Sequence, residues 1–522
     1  MRMRTLCRTG AWLTAAGCAV AGCGSDEMFT LETASNERVI DHEAVATLAS
    51  PEHMLMTPLV VGDLDGDGID DAIVSTRSWA VQGDTLVEGG DLYVVYGGSQ
   101  LHGAIDLTTL PSLTITGVAS GAVTALGDVD GDGLADFLVA AQTDGCGTQH
   151  SGAYLVYGSR TRLTGATPIA SAAALLSDTV TCTDTATIVG IGDFDGDGKA
   201  DFAISRINVS DNTPGDPDEV LVFYGRSQRL SGAVDLLATA DAIIQEPVSS
   251  HNASFLVAAG DVDGDGHADL IVGTNTGTPT SNWRIELRLV LGSATRLSGV
   301  IALGDVAHTR LPDIACLPPS TGVGAGLGDL DGDGADEFSL VDCARTPTSE
   351  LQTNFVHRVY YGRPGGLPAQ LTTADAAAAF TTTLSDFISG NNSQLIGGDI
   401  DGDGVRDLIL ADQNLHGSNG GVHLIKGTAK RLSGTIDPSA QAVISYVGTP
   451  FHMADCGLLG IGVRDCDMPE MVGVGVSLGD LTGDHHPDLL VGAAVYFAGD
   501  PQGVALSPSH TYVVSLPALA RP

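Results

Sequence analysis

The chain has 522 residues, of which 43% are hydrophobic and only 5% aromatic, and it carries a formal net charge of -40. A chain this acidic repels nucleic-acid phosphates, which argues against a function in nucleic-acid binding. After the first 22 residues no run of 18 or more apolar residues occurs, so the sequence predicts no transmembrane helix.

The first 22 residues have the pattern of an export signal. Three arginines precede an apolar stretch (residues 11–22) that is too short to remain as a membrane-spanning helix. The stretch ends in Val20-Ala21-Gly22-Cys23, which is similar to the lipobox of bacterial lipoproteins. That resemblance implies cleavage before Cys23, acylation of this cysteine and a place in the bacterial cell envelope; ordinary secretion with an unmodified Cys23 is the alternative. Residues 23–37 are predicted to be a tether.

A nine-residue acidic pattern, written as DVDGDGHAD at residues 261–269, occurs seven times. The copies begin at Asp63, Asp128, Asp193, Asp261, Asp329, Asp399 and Asp480. Because the pattern recurs every 65 to 81 residues along nearly the whole chain, it indicates a repeat architecture.

The spacing of oxygens in this pattern favours Ca2+. Positions 1, 3, 5 and 9 are carboxylates and position 7 can offer a backbone carbonyl, which together match the oxygen-rich shell that Ca2+ prefers. Glycines at positions 4 and 6 allow the backbone to curl tightly around an ion. The pattern begins like an EF-hand loop, but the glutamate at position 12 is missing and a short strand-like run follows instead. A single loop of this kind is more often a solvated turn, whereas seven in register favour metal binding.

The predicted ligands follow from these positions, and six or seven Ca2+ ions are expected. At positions 1, 3, 5, 7 and 9 the six well-formed loops present Asp63, Asp65, Asp67, Ile69 and Asp71; Asp128, Asp130, Asp132, Leu134 and Asp136; Asp193, Asp195, Asp197, Lys199 and Asp201; Asp261, Asp263, Asp265, His267 and Asp269; Asp329, Asp331, Asp333, Ala335 and Glu337; and Asp399, Asp401, Asp403, Val405 and Asp407. The seventh loop keeps Asp480, Asp484 and Asp488 but has threonine at position 3 and histidine at position 6. It is predicted to bind weakly or not at all.

Each repeat contains four strand-like stretches, which in the second copy are residues 123–126, 137–140, 153–158 and about 174–176. Four short antiparallel strands repeated seven times predict an all-β fold, a seven-bladed β-propeller formed by residues 38–518. The last repeat reaches only its third strand, at residues 510–514, and residues 44–48 form a spare strand near the other end. We expect this N-terminal strand to complete the last blade and close the ring.

Loops such as GDFDGDGKADF at residues 192–202, followed by an apolar strand and a strand such as LYVVYG at residues 92–97, resemble FG-GAP repeats. Such repeats build the N-terminal propeller of integrin α subunits and of many bacterial surface proteins, and the resemblance covers nearly all of the mature chain. It implies an adhesion or envelope-scaffold module that binds a protein or a surface polymer through the face opposite the Ca2+ loops. The literal Phe-Gly and Gly-Ala-Pro signatures are mostly absent, and neither an I-domain insertion nor leg domains are present, so we expect a monomer rather than an integrin-like heterodimer.

Strand alternation in this propeller places the ion loops and the loops between third and fourth strands on one face. The longer loops between second and third strands, at residues 78–90, 208–218, 275–283 and 495–509, fall on the other face. The resemblance makes this face the candidate binding surface; variable solvated loops without a function are the alternative. The six cysteines that remain after the signal and Cys23 also fall there, and an even number in an exported protein suggests disulfides. The predicted pairs are Cys146 with Cys182, Cys316 with Cys343, and Cys456 with Cys466.

Other functions have weaker support in the sequence. The pattern GVSLG at residues 475–479 matches a nucleophile elbow, but it aligns with the ordinary strand that enters each ion loop. His485 and His486 could bind Zn2+, although no third ligand of that kind is nearby. We therefore predict no enzymatic activity. Two alternatives stay open: a carbohydrate-binding propeller, for which aromatic stacking platforms are scarce, and a propeller hydrolase or lyase that uses the central channel.

Overall fold

A computed structural model describes the following parts of the chain: residues 36–50, 54–82, 85–110, 113–118, 123–141, 152–169, 174–178, 183–208, 218–246, 254–276, 284–314, 323–345, 353–382, 393–413, 415, 419–428, 430–449, 451–453, 466–468, 470–493 and 509–516. The export signal and Cys23 lie outside these residues, as do Cys146, Cys182, Cys316 and Cys456. The predicted acylation and disulfide pairs therefore stay predictions.

The described strands form a seven-bladed β-propeller, as the sequence predicts. Each blade is one sheet in which four neighbouring strands are antiparallel. The first four strands of the blades, in sheet order, are Met54–Gly62, Asp71–Gln82, Thr85–Val95 and Leu113–Val118 in blade 1; Val123–Gly127, Asp136–Ala141, Gly152–Val156 and Ala174–Ser177 in blade 2; Thr183–Gly192, Asp201–Asn208, Glu219–Phe223 and Ala242–Gln245 in blade 3; Ser254–Gly260, Asp269–Asn275, Ile285–Val290 and Ala307–Arg310 in blade 4; Gly324–Gly328, Glu337–Arg345, Thr353–Tyr360 and Ala378–Thr382 in blade 5; Ser393–Gly398, Asp407–Asp412, Gly421–Ile425 and Ile444–Val447 in blade 6; and Val472–Gly479, Asp488–Ala493, His510–Ser515 and Ala46–Ala49 in blade 7.

The hydrophobic core lies between the blades. Seven clusters of buried apolar side chains each join two neighbouring blades, and we call each such contact a seam. At the seam between blades 2 and 3, for example, Leu155 packs in one cluster with Ile204 and Phe223. Because both faces of a blade are covered, a second strand such as Asp269–Asn275 is buried at every residue. This explains why these strands read as continuous apolar runs rather than as an alternation.

Six blades have a fifth, outer strand, which the prediction of four strands per blade missed. This shared strand pairs in parallel with the fourth strand of its blade, and in blades 1, 2, 3, 5 and 7 it is contributed by the next repeat around the ring. The shared strands of blades 1, 2, 3, 5, 6 and 7 are Gly165–Pro168, Ala233–Asp235, Gly299–Ala302, Gly434–Ile436, Glu37–Val39 and Gly103–Asp106. Blade 4 is a four-stranded sheet in the part of the chain that the structure describes.

The N-terminal segment supplies two strands to the end of the ring. Glu37–Val39 is the shared strand of blade 6, and Ala46–Ala49 pairs antiparallel with His510–Ser515 as the fourth strand of blade 7. A one-turn helix, Ile40–Glu43, connects them. Similar one-turn helices follow other shared strands, at Leu107–Thr109 (3-10), Leu236–Thr239, Leu303–Val306 and Pro438–Gln441, and a further 3-10 turn lies at Thr373–Asp375.

Two loop predictions need correction. Residues 78–90 are mostly not a loop, since Asp71–Gln82 and Thr85–Val95 continue as one long hairpin with Gln82 opposite Thr85. Cys343 lies inside strand Glu337–Arg345, opposite Phe355, rather than in the loop after it. The insertion at residues 449–473 contains a small hairpin of Phe451–Met453 and Cys466–Met468. None of the helices in the described ranges is long and apolar enough to span a membrane.

Candidate metal centres

Each acidic loop is curled around its first carboxylate. In the second loop Asp128 accepts hydrogen bonds from the backbone N–H groups of Gly131 (2.6 Å) and Gly133 (2.7 Å). These two glycines have φ of 79° and 85°, a conformation that side chains resist. The same contacts recur at Asp63, Asp329 and Asp399. The repeated glycines therefore have the conformational role that the sequence predicts.

The carboxylate at position 9 is fully buried and connects three strands. Asp136, which begins the second strand of blade 2, accepts hydrogen bonds from the N–H groups of Val129 in the loop (2.9 Å) and Gly158 after the third strand (2.8 Å). Burial raises the pKa of this carboxyl to about 7, and nearby Asp130 adds to the effect. Burial likewise raises the pKa of Asp71 and Asp201 to about 7, of Asp269 and Glu337 to about 8, and of Asp407 to about 6. The carboxylate at position 9 is thus a candidate ligand that also connects its loop to the third strand of the blade.

Carboxylate oxygens converge in at least five of the loops. In each group, one oxygen per residue lies within 4.8 Å of the others, which is the arrangement and donor type that suits Ca2+. The groups are Asp63, Asp65 and Asp71; Asp128, Asp130 and Asp136; Asp193, Asp195 and Asp197; Asp261, Asp263 and Asp265; and Asp329, Asp331 and Asp333. The residues at position 7 donate their N–H to position 5, as Ile69 does to Asp67 (3.0 Å), and the metal-binding role of their carbonyls stays a prediction.

Four loops also bind an arginine that sequence reasoning missed. Arg229, from the loop between third and fourth strands of blade 3, crosses the seam to blade 2 and donates to Asp130 and to Asp132 (2.6 Å). Its guanidinium carbon lies 4.8 Å from the centre of the Tyr157 ring, a cation–π geometry. The same pattern joins Arg162 to Asp65, Asp67 and Tyr96; Arg296 to Asp195, Asp197 and Tyr224; and Arg431 to Asp331, Asp333 and Tyr361. We call Arg162, Arg229, Arg296 and Arg431 the clasp arginines.

The sequence contains a recurring pattern that accompanies the clasp arginines. Each is followed by leucine, whose N–H donates to the hydroxyl of the same tyrosine, as Leu230 does to Tyr157 (3.0 Å). That tyrosine always precedes a glycine at the end of a third strand. The Arg-Leu and Tyr-Gly phrases recur with the repeat, but their contact is visible only in three dimensions.

The remaining loops differ in their basic neighbours. In the sixth loop Lys426, which stands in the tyrosine position of its blade, pairs with Asp401 and with Asp403 (3.1 Å). In the fourth loop no arginine or lysine forms an ion pair within the described part of the chain, and His267 contacts Asp265 (2.9 Å). Here Oδ1 of Asp263 is buried and has no hydrogen-bond partner. An unsatisfied carboxylate oxygen of this kind is consistent with a metal ligand.

The structure explains the seventh loop, with its two histidines, and the GVSLG pattern at residues 475–479. Thr482 replaces the carboxylate at position 3 and donates its N–H to Asp488 (2.7 Å). His485 takes φ of 65° at the place of the sixth-position glycine, and its side chain is 92% exposed. The hydroxyl of Ser477 accepts a hydrogen bond from the N–H of Val60 (3.0 Å), so it joins blade 7 to blade 1.

Comparison with known proteins matches parts of the chain to a repeat family. The model of the FG-GAP repeat family matches residues 120–157 and 255–282, which contain the second and fourth acidic loops. No curated protein matches the chain in sequence. Among solved structures, a crystal structure of an ACO/RPE65 chimera is 9% identical, with 90% of this chain and 92% of that chain covered and a TM-score of 0.30.

Proposed function

We propose that this seven-bladed propeller, which carries FG-GAP repeats, is a Ca2+-stabilised binding module of the bacterial cell envelope. FG-GAP propellers are commonly protein-interaction modules. The module would be attached through acylated Cys23 and would bind a protein or a surface polymer with the face opposite the acidic loops. It would act by presenting a surface and not by catalysis.

The observation that carries the metal-binding part is the convergence of carboxylate oxygens within 4.8 Å in successive blades. Positions 1, 3, 5 and 9 supply the carboxylates, and position 9 also ties the loop to the third strand, as Asp136 does through Gly158. A bound divalent cation would neutralise these carboxylates. Since Ca2+ would bind only the folded loop, it would raise the free energy of unfolding by mass action.

Metal binding is tested on the purified protein that begins at residue 24, by elemental analysis and titration calorimetry. We expect several bound Ca2+ ions, weaker binding of Mg2+, which tolerates this flexible geometry poorly, and a lower melting temperature in chelator. A protein that contains no metal, gives no heat with Ca2+ and melts at the same temperature in chelator would refute this part of the proposal.

The binding face is tested on the long hairpin of blade 1. Replacing residues 78–88 by a two-residue turn should abolish retention of the partner captured from envelope extracts. Leu163→Ser is the matched control, because Leu163 is exposed and lies beside the acidic loops. Equal retention by both variants would show that the opposite face is not the binding surface.

The lipid anchor is tested separately. Mass spectrometry of the N-terminal peptide from the native host should show an acylated Cys23, and Cys23→Ser should release the protein from the membrane fraction. An unmodified Cys23 in that peptide would favour ordinary secretion.

A further inference from the structure

The seams of the ring are not equivalent. A clasp arginine crosses the seams between blades 1 and 2, 2 and 3, 3 and 4, and 5 and 6. At the 2–3 seam Arg229 contacts Asp130, Asp132 and the carbonyl of Gly158 (3.2 Å) while it stacks on Tyr157. Each clasp therefore places a permanent cation on two loop carboxylates and fixes the neighbouring blade at the same time.

The seam between blades 4 and 5 lacks this clasp. In blade 4, Leu291 takes the place of the tyrosine found at the clasped seams. In blade 5, Gly366 takes the place of the clasp arginine. At the 1–2, 2–3 and 3–4 seams, position 8 of the acidic loop in the second blade is alanine. At the 4–5 seam this position is Asp336, whose carboxylate accepts a hydrogen bond from the N–H of Asp261 (2.9 Å). The 4–5 seam thus replaces an internal cation by a fifth carboxylate.

The charges at this seam are poorly balanced without an ion. Asp261, Asp263 and Asp265 converge within 4.8 Å, and none of them forms an ion pair with an arginine or lysine in the described ranges. The imidazole of His267 contacts Asp265 and that of His308 lies near Asp263, while Arg406 of blade 6 offsets part of the charge of Asp336. Backbone hydrogen bonds still cross the seam, from the N–H groups of Asp336 (2.6 Å), Arg363 (2.9 Å) and Gly365 (2.9 Å) to the carbonyls of Asp261, Val262 and Asp263. Without an ion, these backbone bonds hold the two loops together against the repulsion of their carboxylates.

The outer edge of the same seam is also weak. Elsewhere a shared strand joins each blade to its neighbour, and the N-terminal segment does so for blades 6 and 7. In blade 5 the corresponding segment forms an isolated bridge between Gln370 and Arg310 in place of a strand, and the Thr309 hydroxyl donates to the Pro368 carbonyl (3.0 Å). Prolines at 364 and 368 remove backbone donors from this segment. The seam between blades 7 and 1 also has an aspartate at position 8, Asp70, but the shared strand Gly103–Asp106 spans it.

We infer that the clasp arginines are built-in counter-cations that keep four seams closed without metal, whereas the 4–5 seam closes only when a divalent cation supplies the missing charge. The ring is thus a closed circle with one metal-dependent opening point. The metal dependence of the 4–5 seam rests on the proposed Ca2+ binding, whereas the role of the clasp arginines does not.

Hydrogen exchange measured by mass spectrometry on the full mature protein, with Ca2+ and with EGTA, tests the inference. In EGTA, peptides that cover residues 255–266 and 305–311 should exchange about tenfold faster, because local opening exposes their hydrogen bonds. Peptides that cover residues 123–133 should change little. An equal response of all loops to EGTA would overturn the inference.

The clasp itself is tested in EGTA with Arg229→Gln, which should accelerate exchange of residues 123–133 by a similar factor. Arg226→Gln is the matched control, because Arg226 lies in the same loop but its side chain pairs with Asp241 in its own blade (2.6 Å). Equal behaviour of these two variants would overturn the role of the clasp. This arm needs no metal, so it gives a result even where Ca2+ titration refutes the proposed function.

A clasp built into the 4–5 seam tests the opening point by gain of stability. The variant combines Leu291→Tyr with replacement of residues 363–366 by the sequence Ser-Ala-Thr-Arg found at residues 293–296. It should fold as well as the wild type and show no acceleration of exchange at residues 255–266 in EGTA. A grafted protein that keeps the full response to EGTA would contradict the inference.

Discussion

Asp263→Asn in the fourth loop should change stability with opposite sign in the presence and absence of Ca2+. The candidate ligand oxygens of Asp261, Asp263 and Asp265 lie within 4.8 Å of one another. At an effective dielectric constant of about 20, two unit charges at such a distance repel by about 3.5 kcal/mol, and salt and partial exposure reduce this value. Removing one charge should therefore stabilise the metal-free protein by about 1–2 kcal/mol after screening.

In saturating Ca2+ the same substitution removes a ligand, so the variant should be less stable than the wild type and bind one ion fewer. Differential scanning calorimetry at matched ionic strength should show the two shifts in melting temperature, each about 1–2 °C for a ring of this size. Asp130→Asn is the control, because Asp130 holds Arg229 and its neutralisation should destabilise the protein in both conditions. A shift of the same sign for Asp263→Asn with and without Ca2+ would refute the electrostatic reasoning.

Two further predictions concern the ring itself. Leu48→Ala, in the N-terminal strand of blade 7, should lower the free energy of unfolding by about 2–5 kcal/mol, because Leu48 is fully buried. The number of bound Ca2+ ions should not change. In calorimetry the exposed Val300→Ala is the control, and an equal, small effect of both substitutions would contradict ring closure by this strand. Burial lowers the pKa of His357 to about 4 from 6.5, so the unfolded chain binds the extra proton first as the pH falls. The contribution of His357 to stability should therefore be full above pH 6.5 and be lost by about 3 kcal/mol toward pH 4. Because the buried position-9 carboxyls have raised pKa values and act in the opposite direction, the measurement is the difference in unfolding free energy between wild type and His357→Gln in denaturant titrations at each pH. That difference should change by this amount, whereas the exposed His102→Gln should follow the wild type.

The sequence alone determined the repeat, the blade count and the first hairpin of each blade. These features are local, since a carboxylate at every second position, two glycines and a following apolar run fix a loop between two strands wherever they occur. The curl of Gly131 and Gly133 around Asp128 follows directly from this pattern. The candidate ligands at positions 1, 3, 5 and 9 could therefore be named before the fold was known.

How the blades are joined depends on contacts that are visible only in the folded ring. Arg229 lies 99 residues from Asp130 in the chain, and the shared strand Ala233–Asp235 pairs with a sheet of the preceding repeat. A periodic sequence places equivalent residues in equivalent positions, but it does not state which neighbour a side chain reaches across a seam. That choice depends on the twist and stacking of whole sheets. For the same reason the missing clasp and shared strand at the 4–5 seam became visible only when the ring was assembled.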